Sequence, residues 1–479
     1  MISRRQFLGT LAGATASTVL GPAGFAAAGA QRPNVLFIAL DDLNDWIQLL
    51  DPDAPIRTPN IERLAKRGVT FTSAYCASAA CNPSRTAVLT GLRPSTTGVY
   101  GNKTDWRRVL PGARTLPQCF MDHGYTALGA GKIFHHHYGG AFHDDASFDD
   151  FQLMPDPPDA PMPADKLNGL EWYGSPNTDW GIWPPEEKDA VDVRTADYVI
   201  DALRREHEQP FFLAAGIFRP HMPFFAPERF FEQYAGEVTM PEVYKQDLED
   251  LPAGAQALLK AKKWFFNGMM KAEKEQPGTW AEAVRSYQAA ASFADAQVGR
   301  ILDALDNSPH ADNTIVVLWS DHGYHLGEKE HWEKFALWEK TTHVPLIIAA
   351  PGMAQAGARC ARPVSLIDLY PTLVDLCGLQ NTPGLDGISL RPLLDTPDAD
   401  WPRPALMTYG YQNHAVCDGR YRYIRYADGT EEFYDHETDP HEWHNRAGEE
   451  ANKAQMDRLR KWLPGENARP GPDMKRPST

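Results

Sequence analysis

The sequence predicts an α/β fold built on a large, mostly parallel sheet, followed by a smaller C-terminal α+β subdomain with an antiparallel sheet. Three observations carry this. Short apolar runs recur through the first 350 residues, and amphipathic helical stretches separate them. Beyond about residue 380 the apolar residues alternate with polar ones around a turn instead. With 479 residues, 43% of them hydrophobic and 23% charged, the chain has material for a sizeable core, which excludes a disordered or fibrous protein. Residues 31–380 are expected to form the larger domain and 381–479 the smaller.

The elements follow in order. Residues 1–30 carry Arg4-Arg5, a weakly apolar stretch, Ala28-Gly29-Ala30 and no acidic residue. They read as a twin-arginine export signal, implying a translocase partner and a periplasmic or secreted destination. Asn34–Leu40 is an apolar run expected to be a strand buried on both faces. Thr58-Pro59 opens a helix that Gly68 stops. Further buried strands are expected at Tyr125–Ala130, Pro210–Ile217, Thr314–Ser320 and Val344–Ala350, and helices at about Val191–Glu208, Ala281–Leu305 and Ser365–Cys377. Residues 139–190, rich in Pro, Asp and Trp, suit a long functional loop, and Ala253–Trp280 a mostly polar helix. Tyr421–Tyr426 alternates, Asp428-Gly429 turns and Glu431–Tyr434 returns, which is a hairpin. The last ten residues read as a polar tail. No run after the signal is long and apolar enough to span a membrane.

Lys and Arg number 47 against 63 Asp and Glu, a net −16. An acidic chain lacks the basic field that broad nucleic-acid binding needs, so an anionic substrate must be held in a local pocket. Cys76, Cys81, Cys119, Cys360, Cys377 and Cys417 are too few for a disulfide scaffold at this length, and their spacing is not that of a zinc finger.

In parallel sheets, ligands bind beyond the carboxyl ends of the strands. Four expected strands deliver reactive groups there: Asp41-Asp42, Asp321-His322, Lys132 through His135, and Arg219-Pro220-His221. One aspartate after a strand is usually a helix cap; four such endings together point to a site. Asp41, Asp42 and Asp321 offer hard oxygen ligands suited to Ca²⁺, with Mg²⁺ the alternative, and His322 would also admit Zn²⁺ or Mn²⁺. In Cys81-Asn82-Pro83-Ser84-Arg85, Pro83 can open a helix that Gly91 closes. Cys81 then lies at a helix N-terminus, where free N–H groups favour an anion, and Arg85 can reach the same anion.

This segment resembles the signature of the formylglycine-dependent (type I, Cys-type) sulfatases, Cys-x-Pro-Ser-Arg followed by Leu-Thr-Gly. The likeness covers nearly the whole chain after the signal. Within the family the pattern is nearest to the iduronate-2-sulfatases, through Arg93-Pro94, Trp106-Arg107, Gly131-Lys132-Ile133-Phe134-His135, Arg219-Pro220-His221 and Thr342-His343-Val344-Pro345-Leu346. The resemblance implies an alkaline-phosphatase-like sandwich and hydrolysis of a sulfate ester, expected to be an exo-acting cut on a sulfated saccharide. It implies that Cys81 is oxidised by a formylglycine-generating enzyme and hydrated, so that one hydroxyl attacks sulfur. It assigns Asp41, Asp42, Asp321, His322 and position 81 to the metal, and Arg85, Lys132 and Lys334 to the charge on the sulfuryl group. His221 would protonate the leaving alcohol and His135 would deprotonate the second hydroxyl, with His136 and His137 close by in sequence. Arg93, Lys103, Trp106 and Arg107 are candidate substrate contacts. Two departures stand out: Leu92 follows Thr-Gly where many members have Arg, and Lys103 stands where a neutral residue is expected. The rival readings are a phosphodiesterase or phosphonate monoesterase of the same superfamily, a choline sulfatase, and a non-catalytic binding protein if Cys81 is never oxidised.

Overall fold

The computed structural model describes residues 32–135, 142–380 and 382–475. The expected export signal, His136 and His137 lie outside these residues.

The centre is an eight-stranded sheet. Its order is Arg359–Cys360, Val69–Phe71, Leu346–Ala349, Thr314–Ser320, Asn34–Asp41, Phe211–Pro220, Thr126–Gly131 and Asp150–Gln152. Asn34–Asp41 pairs in parallel with both of its neighbours. Its side chains alternate between two cores. Leu36, Ile38 and Leu40 face helices Val191–Arg204 and Thr279–Asp306. Val35, Phe37 and Ala39 face helices Cys81–Thr90, Leu116–Asp122 and Leu369–Leu376. Burial on both faces is why this run is apolar without a break, each Leu, Ile, Val or Phe contributing about 1.5–3 kcal/mol.

Two local expectations change. The strand expected at Val344–Ala350 forms as Leu346–Ala349, but it runs antiparallel to both neighbours. No crossover helix precedes it. The chain leaves Ser320 at the carboxyl edge, makes a small ribbon of His325–Leu326 against Trp332–Glu333, and re-enters from that same edge. A parallel strand would need a return to the opposite edge. The stretch expected as one mostly polar helix over 253–280 is helix Ala253–Glu275, a break, and the start of helix Thr279–Asp306. It has a buried face of Leu259, Phe265, Phe266 and Met269.

At the C-terminus, Ala405–Thr408, His414–Cys417, Tyr421–Arg425 and Glu431–Asp435 form an antiparallel sheet. Helix Lys453–Arg460 covers one face. The other face packs on Tyr75, Leu337 and Trp338, where the buried Arg422 pairs with Glu339 and Glu442. The terminal segment lies along residues 95–105: the N–H groups of Ala468, Gly471 and Met474 donate to the carbonyls of Ser95, Gly98 and Lys103. All six cysteines are free thiols. No described helix is long and apolar enough to cross a membrane.

The close approach of two strands fixes where Lys132 leaves the sheet. Gly131 has φ 76°, and Lys132 N–H donates to Gly216 O at 2.9 Å. A Cβ on Gly216 would lie 2.3–2.4 Å from the Lys132 backbone. Gly216→Ala should therefore destabilise the protein by about 1–3 kcal/mol through overpacking, and activity should fall as Lys132 is displaced. Urea unfolding checks this; an unchanged midpoint would mean that the strands separate freely.

Candidate active site

Four adjacent strand ends build the site from below. Asp41 ends the central strand, Asp321 follows Ser320, Lys132 follows Gly131 and His221 follows Pro220. Helix Cys81–Thr90 supplies the roof. Ala80 is its extended N-cap, Cys81 opens its first turn and Gly91, at φ 69°, closes it. Every residue of the helix is buried. Its start is tied to the sheet by Ser84 Oγ, which donates to Asp321 O at 2.6 Å.

These elements converge. Ligand atoms of Asp41, Asp42, Cys81 and His322 lie within 4.8 Å of one another, and all four residues are buried. The His322 Nε2 atom is 3.2 Å from Cys81 Sγ, and its Nδ1 is 3.2 Å from Asp42 Oδ1. The Asp321 carboxylate joins from the side: Oδ1 accepts from Asp42 N–H at 3.2 Å and Oδ2 from Arg85 Nε at 2.8 Å. Lys132 Nζ pairs with Asp41 and stands 3.7 Å from Cys81 Sγ. Lys334 Nζ donates to both Asp42 oxygens at 2.9 Å. Arg85 Nη2 is buried without a hydrogen-bond partner among the described residues, 3.7 Å from Asp41 Oδ1.

Electrostatics follow from burial. Desolvation alone would raise Asp41, but Lys132, His221 and Arg85 together outweigh it and hold the carboxyl below the usual range. Burial also opposes ionisation of Cys81, yet Lys132, Lys334 and His322 together drive its thiol well below the ordinary value. Asp321 goes the other way: burial dominates the Arg85 contact and lifts it to about 6. His322 rises to about 9 because Asp321 and Cys81 overcome its burial. His135, whose ring nitrogens have no partner among the described residues, is pushed down to about 4 by burial. It is neutral near pH 7.

His221 lies at the rim. Its Nδ1 faces Met222 O at 2.6 Å and must donate, because a carbonyl only accepts. That leaves Nε2 toward the site, 3.9 Å from Asp42 Oδ2. Lys132 Nζ is flanked by the rings of Phe142 and Phe218, each centroid 5.4 Å away.

The four expected substrate contacts do not converge on Cys81. Trp106 is buried and stacks on Phe134 at 5.2 Å. Arg107 lies over Trp106 and pairs with Asp144. Arg93 donates its backbone N–H to Asp386, and its guanidinium lies near Arg403 beside the hollow that Trp462 and Asn467 line. Lys103 is exposed on the turn that the C-terminal segment grips.

Other residues serve the site without a sequence signal. Asp42 has φ 65°, a left-handed conformation unusual for a side chain. Tyr287, in the long helix Thr279–Asp306, holds it there. Its hydroxyl donates to Asp42 O at 2.7 Å and accepts Asn44 N–H at 3.0 Å. Asn82 donates to the carbonyls of Gly101 and Thr104, and its N–H donates to Asn102, so the turn 101–104 backs the residue after Cys81. Nothing in the spacing of these partners marks them.

The profile of the sulfatase family matches residues 33–379, and the C-terminal profile of N-sulphoglucosamine sulphohydrolase matches residues 327–468. The chain is 40% identical to a sulfatase of Formosa agariphila over 91% of its own length and 87% of that protein's. It is 30% identical to human iduronate 2-sulfatase over 73% of this chain and 70% of that one. It is also 30% identical to the choline-sulfatase of Rhizobium meliloti, over 87% and 82% of the two chains. Its fold is similar to that of a phosphonate monoester hydrolase from Silicibacter pomeroyi, with a TM-score of 0.74 at 20% identity over 90% of this chain and 94% of that one.

Arg85 is the buried cation that pairs with Asp321, and it lies 3.7 Å from Asp41. Arg85→Ala should cost about 3–5 kcal/mol, because it leaves Asp321 and Asp41 buried with less compensation. Arg85→Lys should recover only part of this, since one ammonium cannot span the contacts of a guanidinium. Denaturant unfolding of the two variants checks it. Equal stability of both with the parent would mean that the carboxylates are balanced without Arg85.

Proposed function

Because the chain belongs to the sulfatase family and is a sulfuric ester hydrolase, we propose that it removes sulfate from the end of a sulfated saccharide through a formylglycine made from Cys81. The observation that carries this reading is Cys81 itself. It stands in the first turn of a buried helix, within 3.7 Å of Asp41, Lys132 and His322. The saccharide assignment is supported by the likeness to an iduronate 2-sulfatase. Residues 31–380 form the catalytic domain of this reading and 381–479 its subdomain. Maturation by a formylglycine-generating enzyme and export through the twin-arginine translocase to the periplasm or beyond belong to the same reading.

Asp41, Asp42, Asp321 and His322 fit a divalent cation, Ca²⁺ first and Mg²⁺ as the alternative. The set is carboxylate-rich and buried, and the strained φ of Asp42 turns its carboxylate among the others. Bound there, the cation would polarise sulfate oxygens and lower the pKa of the attacking hydroxyl. Formylglycine at position 81 would supply one hydroxyl to attack sulfur and a second whose deprotonation expels sulfate. The remaining chemistry lies with the chain. Lys132, Lys334 and the unpartnered Nη2 of Arg85 neutralise and orient the sulfuryl oxygens. His221 presents Nε2 at the rim, where the leaving alcohol departs, and gives it a proton. His135, neutral through burial, accepts the proton of the second hydroxyl.

The fold likeness to a phosphonate monoester hydrolase keeps that chemistry as a second reading. A panel of sulfated saccharides, choline sulfate, a phosphonate monoester and a phosphodiester separates the readings. Fastest turnover of the phosphonate would replace this proposal.

Three outcomes are expected. Peptide mass spectrometry of active enzyme should find position 81 lighter than cysteine by about 18 Da, the change from thiol to aldehyde. Cys81→Ala should abolish turnover. Full sulfatase activity with an intact thiol would overturn the nucleophile. His221→Ala should slow alkyl sulfates by about 10²–10⁴-fold and aryl sulfates, whose leaving groups need no proton, much less. Equal losses on both would remove His221 from the role of acid.

A further inference from the structure

Beside Lys334 the chain gathers a half-buried cluster of Lys262, Glu333, Phe335 and Tyr409 that the hydrolytic chemistry does not use. Glu333 has φ 108° and Phe335 φ 69°, so two left-handed residues flank Lys334. Such strain persists only where the surroundings impose it, and it gathers at functional sites. The Phe335 N–H donates to Ala79 O at 3.0 Å, which pins the segment next to the N-cap of the nucleophile's helix. Lys334 Nζ is 5.7 Å from the centroid of the Phe335 ring, and Lys262 Nζ is 3.7 Å from the same centroid. Two ammonium groups therefore share one ring. One of them touches Asp42 in the site; the other comes from helix Ala253–Glu275.

Lys262 is not locked away. Its side chain keeps 28% of its exposure, and its partner Glu333 keeps 18%. Their separation of 3.6 Å is an ion pair but too long for a good hydrogen bond. Glu333 Oε2 is buried without a hydrogen-bond partner among the described residues. The Tyr409 ring lies 5.8 Å from Phe335. Lys334 Nζ and Lys262 Nζ approach the same Phe335 ring, so a substrate whose sulfate meets Lys334 lies one aromatic ring away from the Lys262 ammonium.

We propose that Lys262 is a specificity residue that binds an anionic substituent on the sugar, a carboxylate or a second sulfate, and excludes cationic leaving groups. A cation is disfavoured sterically as well as electrostatically. A quaternary ammonium binds by resting on aromatic faces, and Lys262 already lies over the Phe335 ring. The cluster thus favours an acidic saccharide over choline sulfate. Glu333 positions the ammonium and yields it when a stronger anionic partner arrives.

This inference rests on hydrolysis of a sulfate ester in the neighbouring site, and its test is a ratio that does not depend on which ester is cleaved. The mature enzyme would be assayed on a sulfated uronic acid, its carboxyl-reduced neutral counterpart, a disulfated monosaccharide and choline sulfate. In Lys262→Met the ratio of kcat/KM for acidic over neutral substrate should fall by about tenfold, as expected for a lost hydrogen bond to a charged group. The relative rate on choline sulfate should rise. Lys262→Arg should keep most of the ratio. The uronic acid and the disulfated sugar distinguish a carboxylate from a sulfate as the group bound. An acidic-over-neutral ratio unmoved in Lys262→Met would overturn the proposal. If the parent cleaves only phosphonate or phosphate esters, the sulfatase reading fails, and the same ratio on acidic and neutral esters of that class still judges Lys262.

Discussion

Everything in this molecule is arranged around three carboxylates that have been taken out of water. Asp41, Asp42 and Asp321 are fully buried at one edge of the sheet. Isolated charges there would be untenable, and each is answered by a buried cation: Lys132 on Asp41, Lys334 on Asp42 and Arg85 on Asp321. The three pairs come from three different regions of the chain. Their mutual balance ties the sheet, the nucleophile's helix and the 325–335 ribbon into one unit.

That balance also sets reactivity. Two of the cations that neutralise the carboxylates, Lys132 and Lys334, also lower the Cys81 thiol, and in the proposed reaction they meet the oxygens of the sulfate. A carboxylate-rich set accommodates a divalent cation, and the cations around it accommodate an anion. Burial sorts the histidines by environment. His322, among carboxylates, is raised to about 9, while burial pushes His135 down to about 4. Without a bound cation, the two histidines of one site are thus shifted in opposite directions.

In the proposal made above, selectivity lies in a second tier attached to this core. The ribbon that carries Lys334 into the site also carries Glu333 out toward Lys262, so one strained segment links chemistry to recognition. The C-terminal segment reaches the site differently. It grips residues 95–105, and Asn82 rests on that turn directly beside Cys81.

The sequence by itself determined the strands and the chemistry at their ends. A strand buried on both faces must be apolar throughout, so its limits are visible, and the polar residues that interrupt it mark the carboxyl edge. Asp41, Lys132, His221 and Asp321 could be read in this way, as could Cys81 and Arg85 from the helix start at Pro83 and its stop at Gly91. The reversed strand Leu346–Ala349 was not legible, because direction depends on where the connection re-enters and not on composition. Nor was the grip of Tyr287 on Asp42, 245 residues away in the chain, nor the meeting of Lys262 with Glu333. Such pairs are set by how helices lie across the sheet, and a lysine or tyrosine on a helix has the same local pattern whether it faces solvent or a site. Arg93, Lys103, Trp106 and Arg107 make the same point from the other side. They are close in sequence to the nucleophile, yet packing turns them toward Asp386, solvent, Phe134 and Asp144. Local periodicity encodes which residues are buried; only tertiary packing decides which buried residues meet.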